Sequence, residues 1–134
     1  MNNIVLEKKV KEVAAMLWQQ KGYASPVDVL IKMGFLSERN YKEWRNGRVQ
    51  YLEKVITANL NKLSTVMKIL RDYSVSNGAK PSFSYYRQNG TGNSILRFSK
   101  SGKSKIERSY ATNYVLKPDK TAELQLTDNA IEES

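Results

Sequence analysis

The spacing of apolar residues predicts amphipathic helices over most of the first 78 residues. Between residues 3 and 20, apolar side chains recur every three or four positions, as they do on one face of an α-helix, and Gly22 is well placed to end that helix. The longest run with this period begins after Arg48 and ends near residues 77–78. It predicts one long helix, whose apolar stripe must pack either against the first helix or against a second copy of the chain.

Two short helices are predicted between these longer ones. Ser25 followed by Pro26 is a strong helix-start signal, since serine caps a helix N-terminus and proline suits the first helical position. Gly34 is expected to end this helix, Ser37 to cap the next one, and Gly47 to close it. The first part of the chain is therefore expected to hold about four helices, one of them long.

The pattern changes after Pro81. Residues 82–88 and 94–100 are rich in aromatic residues, alternate between apolar and polar, and flank a glycine-containing stretch at 89–93. These features are typical of a β-hairpin. Residues 103–114 are interpreted as either a short final helix or an irregular return. From residue 118 onward the chain is polar and acidic, which predicts a disordered tail.

Together these elements describe an α+β protein. Its single domain is expected to span residues 1–117, with a mainly helical part at 1–78 and a basic hairpin part at 79–117. The tail at 118–134 is expected to lie outside the domain. The apolar stripe of the long helix leaves both a monomer and a homodimer open.

The composition argues against an enzyme. The chain contains neither histidine nor cysteine, so imidazole bases, thiolate nucleophiles and the usual zinc ligands are excluded. No cofactor and no metal are expected. No segment has the pattern of a secretory signal, and none approaches the roughly 18 apolar residues of a membrane span. The protein is expected to be cytoplasmic and to have no membrane partner.

Positive charge is concentrated in one part of the chain. There are 22 basic and 13 acidic residues, a net charge of +9, but residues 118–134 contain five acids and one base. Residues 1–117 therefore carry a net charge of +13. Between residues 80 and 117 there are eight basic residues and a single acid, Glu107. Such a region attracts polyanions, and binding to it should weaken as salt rises.

The second of the two short helices resembles a DNA-reading element. Its capping Ser37, its Trp44 seven positions later and its Gly47 three further on resemble the recognition helix of the Cro and phage-repressor type of helix-turn-helix. The resemblance covers residues 26–52, and the turn is one residue longer than the usual one. It implies that the start of the helix approaches base edges while its end holds phosphates. The implied base-reading residues are Arg39, Asn40 and Lys42, and the implied phosphate contacts are Arg45 and Arg48.

An ordinary helical hairpin is the alternative for this segment. Its aromatic residues would then belong to the core and its charged side chains would be solvated, and both interpretations expect a buried Trp44. Two glutamates on the same helix, Glu38 and Glu43, would meet phosphates unfavourably unless Lys42 or Arg39 pairs with them. The ligand of this helix is therefore left open by its sequence.

The predicted hairpin supplies a second candidate surface. Its aromatic residues and cations alternate, which suits stacking on unpaired bases or contact with phosphates. The cations expected to contact a nucleic-acid backbone are Arg87, Arg97, Lys100, Lys103 and Lys105. The sequence thus favours a nucleic-acid-binding protein, with duplex DNA as the expected ligand. The alternative is a non-enzymatic protein-interaction module that binds an acidic protein partner.

Two stretches, residues 41–52 and 97–115, also resemble parts of uncharacterised bacterial and prophage proteins. This resemblance implies a bacterial or phage origin and nothing about activity. Under the alternative above, it implies a prophage-type factor whose acidic partner is a host protein.

Overall fold

A computed structural model of the chain describes residues 2–90 and 94–116 and shows an α+β fold. The described part contains five α-helices, one turn of 3-10 helix and a three-stranded antiparallel sheet in the order β1-β3-β2. The predicted tail lies outside the described residues. In chain order the elements are α1 (Asn3–Lys21), β1 (Tyr23–Ala24), α2 (Pro26–Lys32), α3 (Glu38–Arg45), the 3-10 turn (Leu52–Val55), α4 (Leu60–Ser76), β2 (Lys80–Phe83), α5 (Ser104–Tyr110) and β3 (Thr112–Val115).

The first three helices begin and end where the sequence predicts. The hydroxyl of Ser25 accepts the backbone N–H of Asp28 at 3.1 Å to cap α2, and the hydroxyl of Ser37 accepts that of Asn40 at 3.1 Å to cap α3. Gly47 follows α3 with a φ of +78°, and a β-carbon at this position would lie 2.5 Å from the side chain of Gln88. The positive φ favours glycine here, since a larger residue would be strained in this conformation, whereas the amide end of the Gln88 side chain could move aside.

The prediction of one uninterrupted long helix is wrong. The 3-10 turn ends before Ile56, whose backbone is extended, and the N–H of Thr57 donates to the carbonyl of Phe35 at 2.9 Å. A new helix, α4, starts where the side chain of Asn59 accepts the N–H of Lys62 at 2.8 Å. The apolar period continues across this break because both segments face the same core, and period alone does not reveal the cap within it.

The apolar stripe of α4 is buried within the chain. Leu63, Val66 and Leu70 are buried, and α4 packs along α1. The rings of Trp18 on α1 and Tyr73 on α4 stack with centroids 5.6 Å apart. Packing against α1 thus covers these three residues of the stripe, whereas Leu60 at the start of α4 is 65% exposed.

The hairpin predicted for residues 82–88 and 94–100 does not form along its full length. Strand β2 pairs instead with β3, from Lys80 opposite Val115 to Phe83 opposite Thr112. The predicted strands pair only over residues 86–88 and 94–96: Arg87 and Ile95 form an antiparallel β-bridge, and the N–H groups of Leu96 and Gln88 donate to the carbonyls of Tyr86 and Ser94, each at 2.8 Å. Residues 97 and 98 direct their carbonyls to the N–H groups of the 3-10 turn, at 3.1 Å and 2.9 Å, and so are not available to residues 82–84.

Residues 103–114 form a short helix followed by a strand, which agrees with the first of their two interpretations. Two indole groups tie this C-terminal region to the helices. Trp18 donates from Nε1 to the carbonyl of Tyr114 at 3.0 Å, and Trp44 donates from Nε1 to the carbonyl of Arg97 at 2.8 Å. Both indoles are buried, and Phe98 is buried with them in one core.

Candidate nucleic-acid interface

The segment from residue 97 to residue 105, which we call the basic loop, is held in place by two carboxylates. Glu107 on α5 folds back and accepts the backbone N–H of Phe98 at 2.8 Å and that of Ser99 at 2.7 Å. It also accepts the hydroxyl of Ser99 at 2.5 Å. Hydrogen bonds to an ionised carboxylate are stronger than neutral ones, so Glu107 fixes the entry to the loop.

Glu53, in the 3-10 turn, fixes the other side of the basic loop. One of its carboxylate oxygens accepts the backbone N–H of Lys100 at 2.9 Å, and the other accepts the hydroxyl of Tyr110 at 2.8 Å. The backbone N–H of Glu53 donates in turn to the carbonyl of Phe98 at 2.9 Å. Both carboxylates are therefore directed toward backbone and hydroxyl donors.

The turn of the basic loop is closed by its own small residues. The N–H of Gly102 donates to the hydroxyl of Ser99 at 3.0 Å, and that of Lys103 donates to the hydroxyl of Ser101 at 3.3 Å. Gly102 has a φ of +68°, a conformation that glycine adopts without strain. The loop is thus a defined structure, although residues 97–103 belong to neither a helix nor a strand, and its last two residues begin α5.

Three lysines point outward from this loop. Lys100, Lys103 and Lys105 are exposed, and none of them forms an ion pair with any residue in the described ranges 2–90 and 94–116. An ammonium group on a long side chain that is not held by a carboxylate is free to reach a phosphate. The basic loop therefore presents three ammonium groups that have no ion-pair partner among the described residues, and its backbone is held by the hydrogen bonds to Glu53 and Glu107.

Arg97 has a different position from the one its sequence context suggests. Its guanidinium donates from Nε to the carbonyl of Ser99 at 2.7 Å, donates to the carbonyl of Lys100, and lies over the ring of Tyr51. Arg97 thus braces the basic loop. It remains exposed, so a phosphate contact from this residue stays a prediction.

Helix α3 buries one side and exposes the other. Trp44 is fully buried, whereas Arg39 and Lys42 are exposed. At 100° per residue, Arg39 and Lys42 lie about 140° and about 160° around the helix from Trp44. Asn40 is half-buried and lies nearer the Trp44 side. Of the three implied base-reading residues, the structure places two on the open face of α3.

The two implied phosphate contacts at the end of α3 are both engaged within the chain. The guanidinium of Arg45 donates to the hydroxyl of Tyr41 at 3.0 Å and to the carbonyl of Arg87 at 3.2 Å. It also lies 5.3 Å from the centre of the Tyr86 ring. These contacts attach α3 to the segment around residue 87, which gives Arg45 a structural role that its position in the sequence does not reveal.

Arg48 forms an ion pair with Glu43, with Nη1 and Oε1 3.0 Å apart. The partner of this glutamate is therefore neither Lys42 nor Arg39, the two possible partners that the sequence suggests. The pair is largely exposed and contributes little to stability. The pair neutralises Glu43, one of the two glutamates that would repel phosphates. Arg39 and Lys42 therefore do not neutralise Glu43.

The open face of α3 and the basic loop are connected through Trp44. Its indole N–H reaches the carbonyl of Arg97 at the start of the basic loop, so the loop packs on the buried side of α3. Arg39 and Lys42 project from the other side. Arg87 is exposed close to the end of α3 and forms interactions of its own. The structure thus contains two distinct basic surfaces joined by one tryptophan.

Sequence reasoning does not find Glu53 and Glu107 as organising residues of this surface. The available signal is the isolation of Glu107, which is the single acid among the eight basic residues between positions 80 and 117. An acid kept in such a run is a candidate for an internal hydrogen-bonding role. Glu53 carries no comparable signal, because its partners are distant in the sequence.

Two kinds of feature are absent from the described residues 2–90 and 94–116. Among them there is no group of three or more His, Cys, Asp or Glu side chains arranged to hold a metal ion. No helix within the described residues combines the length and the apolar character needed to cross a membrane.

Comparison of the chain with family models, curated proteins and solved structures finds no match. Its function is therefore inferred from its own geometry and charge.

The buried hydroxyl of Tyr110 is expected to make the stability of the protein depend on pH in the alkaline range. Burial, and then the hydrogen bond to Glu53, raise the pKa of the Tyr110 hydroxyl above its usual value. A raised folded-state pKa contributes stability that is complete below the ordinary tyrosine pKa of about 10 and is lost as the pH rises beyond it. We expect the free energy of unfolding to fall less steeply with alkaline pH in Tyr110→Phe than in the wild type. Urea unfolding at a series of pH values measures this slope.

The matched control for that experiment is Tyr85→Phe, which removes the hydroxyl of an exposed tyrosine. Its alkaline slope should equal that of the wild type. Equal slopes in the Tyr110 and Tyr85 variants would show that the Tyr110 hydroxyl has no part in the alkaline loss.

Proposed function

We propose that this protein binds nucleic acid, with the basic loop contacting the phosphate backbone. One observation carries the proposal: Glu53 and Glu107 direct their carboxylates to backbone N–H groups and to the hydroxyls of Tyr110 and Ser99, while the lysines of the same loop are exposed and unpaired. The two carboxylates therefore hold the backbone of the basic loop and do not pair with its exposed lysines.

Phosphate binding suits this arrangement of lysines. Each phosphate carries one negative charge, and a lysine that neutralises it releases condensed counterions, which favours binding at low salt. Contacts of this kind position a protein on the duplex without reading its sequence. The basic loop is thus expected to supply affinity rather than specificity.

Helix α3 supports a second contact on duplex DNA. Its face with Arg39 and Lys42 is open, and neither the segment around residue 95 nor α4 covers these two side chains. Arginine and lysine both pair with guanine in the major groove. The resemblance of residues 26–52 to a helix-turn-helix agrees with this use. The longer turn between α2 and α3 leads us to propose the helix as a secondary contact.

A salt titration tests the proposal. The affinity of the full chain for a duplex of mixed sequence, measured by fluorescence anisotropy, should decrease linearly on a plot of log affinity against log salt, with a slope of about −0.9 per phosphate neutralised. The three exposed lysines of the basic loop are expected to give a slope of about −2.7, and Arg39 and Lys42, on the other side of α3, are not counted in this contact. Undetectable binding at low salt, or an affinity that does not change with salt, would overturn the proposal.

One feature favours a protein partner as a second candidate ligand. A cavity of about 330 Å³ lies between α4 and α5, and its lining includes the apolar side chains of Leu60, Met67 and Ile106. Lys68 and Arg71 stand beside them. Lys68 and Arg71 both pair with Asp72, so Lys105 is the cation of this lining that has no ion pair among the described residues, and an amphipathic helix that places an acid against Lys105 would match the apolar floor. An acidic amphipathic peptide whose affinity is lost in Met67→Gln, which keeps the charge unchanged, while duplex binding stays the same, would support the second candidate.

A further inference from the structure

The cavity between α4 and α5 has an apolar floor that is open to solvent. Leu60 on α4 and Ile106 on α5 belong to its lining, and both side chains are exposed. Met67 belongs to the same lining and is half-buried. Single exposed apolar residues are normal on a protein surface, whereas several that line one cavity form a candidate docking surface. The cavity is therefore suited to an apolar segment.

The charges around this cavity favour an acidic occupant. Lys68, Arg71 and Lys105 line it, and Glu53 is the acid among the lining residues. Lys68 and Arg71 share one further acid, Asp72. Three cations thus face two acids, which leaves a net charge of +1. A second copy of the chain would bring a body with a net charge of +13 toward this surface and would be repelled, whereas an acidic segment would be attracted.

The chain itself contains a segment with the required chemistry. Residues 122–128 read AELQLTD, so that Leu124 and Leu126 are flanked by Glu123 and Asp128. The tail at 118–134, to which this stretch belongs, has five acids and one base. Its sequence therefore complements both the apolar floor of the cavity and its positive charge.

The tail is attached close to this cavity. Tyr110, at the end of α5, belongs to the lining, and Leu116 is the last described residue, six positions later. Six residues span at most about 22 Å, and the eight residues from 116 to 124 span up to about 29 Å. Leu124 can therefore reach the lining without a change in the fold. A segment attached by a short connection has an effective concentration on the order of millimolar, which favours it over a separate molecule.

We propose that the tail docks in the cavity between α4 and α5 through Leu124 and Leu126. The two leucines cover the apolar floor, and the acids beside them balance the net positive charge of the lining. The docked tail competes with any separate acidic partner of the same cavity. Docking requires no nucleic acid, so it is tested independently of duplex binding by the basic loop.

Disulfide trapping in the full chain tests this docking, because the chain has no cysteine of its own. One variant combines Gln125→Cys, between the two leucines, with Ser64→Cys in the cavity lining. The control combines Gln125→Cys with Ser76→Cys, an exposed serine at the end of α4 that does not line the cavity. Ser76 precedes Lys80 by four residues, and Lys80 lies opposite Val115, so an undocked tail also reaches it.

We expect the disulfide between positions 64 and 125 to form at least about tenfold faster than the disulfide between positions 76 and 125. A factor of ten corresponds to a preference of about 1.4 kcal/mol for the docked position. Equal rates for the two pairs would overturn the proposal and would leave the cavity to a separate partner. Disulfides between two chains in place of those within one chain, recognised by their mass, would assign the cavity to a second copy and would also overturn it.

The leucines are tested by adding Leu124→Ser and Leu126→Ser to both cysteine pairs. This change leaves the net charge unaltered and should abolish the difference in rate. Thr121→Ser and Thr127→Ser introduce two serines into the same stretch without removing a leucine, and should preserve the difference. A preference for position 64 that survives the loss of both leucines would show that charge alone draws the tail to α4, and would overturn docking in the apolar cavity.

A peptide with the sequence of residues 118–134 tests the competition directly. In chains that carry no introduced cysteine, it should bind the variant with Leu124→Ser and Leu126→Ser more tightly than the wild type, because the attached wild-type tail competes for the cavity. Fluorescence anisotropy of the labelled peptide measures both affinities. Equal affinities, or no binding to the variant at millimolar peptide, would overturn the proposal. Neither measurement uses DNA, so its failure and the failure of duplex binding are distinguishable.

Discussion

Replacing Trp44 with alanine is expected to lower the free energy of unfolding by about 3–5 kcal/mol, the usual range for removing a large buried aromatic side chain. The indole is fully buried, and its ring lies 5.4 Å from that of Tyr86 and 5.2 Å from that of Phe98. Its N–H is also the donor to the carbonyl of Arg97 at the start of the basic loop. The substitution therefore leaves a cavity and removes the link between α3 and the basic loop.

Urea unfolding measures this loss, and Trp18 remains as a fluorescent probe in the variant. Trp44→Phe keeps an aromatic ring in the core but removes the N–H together with part of the indole volume. Its loss should be smaller than that of alanine. Ile95→Ala, which truncates an exposed apolar side chain, serves as the control and should cost less than about 0.5 kcal/mol. A loss below about 1 kcal/mol for Trp44→Ala would contradict the described core.

Replacing Glu107 with glutamine should produce the second large effect. The carboxylate accepts three hydrogen bonds from Phe98 and Ser99, and an amide offers only one oxygen while presenting an NH₂ group to the remaining donors. We expect the free energy of unfolding to fall by about 2–4 kcal/mol, given that each bond to a charged group contributes about 1.5–3 kcal/mol and that the contributions are not additive.

The same substitution separates loop structure from net charge. Glu107→Gln raises the net charge by one, so a surface governed by charge alone would bind duplex DNA more tightly. We expect weaker binding instead, because the backbone that carries the lysines loses the hydrogen bonds by which Glu107 holds it in place. Glu12→Gln makes the same change of charge at an exposed position of α1 and should slightly strengthen binding. Tighter binding by both variants would show that the carboxylate of Glu107 does not organise the loop for its ligand.

Local signals predicted the helices of the first part of the chain. The serine caps at Ser25 and Ser37 form the hydrogen bonds that their positions suggest, and the left-handed glycines lie where helices end. These features depend on residues within one turn of each other, which is why the sequence reveals them. The same reasoning missed the helix start at Asn59, because a continuous apolar period runs across it.

Long-range contacts explain what the sequence did not reveal in the second part. An alternating pattern in residues 82–88 and 94–100 predicts strands but does not name their partners, and β2 pairs with β3 in place of the nearer segment. Arg45 presents the same difficulty. Its position at the end of a basic helix suggests a phosphate contact, whereas its hydrogen bonds run to Tyr41, Arg87 and Asn89.

For the candidate site, the sequence identified the cations and missed the acids that place them. Lys100, Lys103 and Lys105 stand out as part of a basic run, since charge is visible in composition. Glu53 was not recognised as a partner of this run, because only the packing of the 3-10 turn against residues 97 and 98 brings them together.

The most direct test of phosphate binding by the basic loop compares two matched pairs of lysines in the salt titration. Changing Lys100→Gln and Lys103→Gln should reduce the slope of log affinity against log salt by about 2, since each lysine neutralises about one phosphate. Changing Lys8→Gln and Lys9→Gln removes the same charge from exposed positions of α1 and should leave the slope nearly unchanged. Equal slopes for the two variants would contradict a phosphate-binding role for the basic loop.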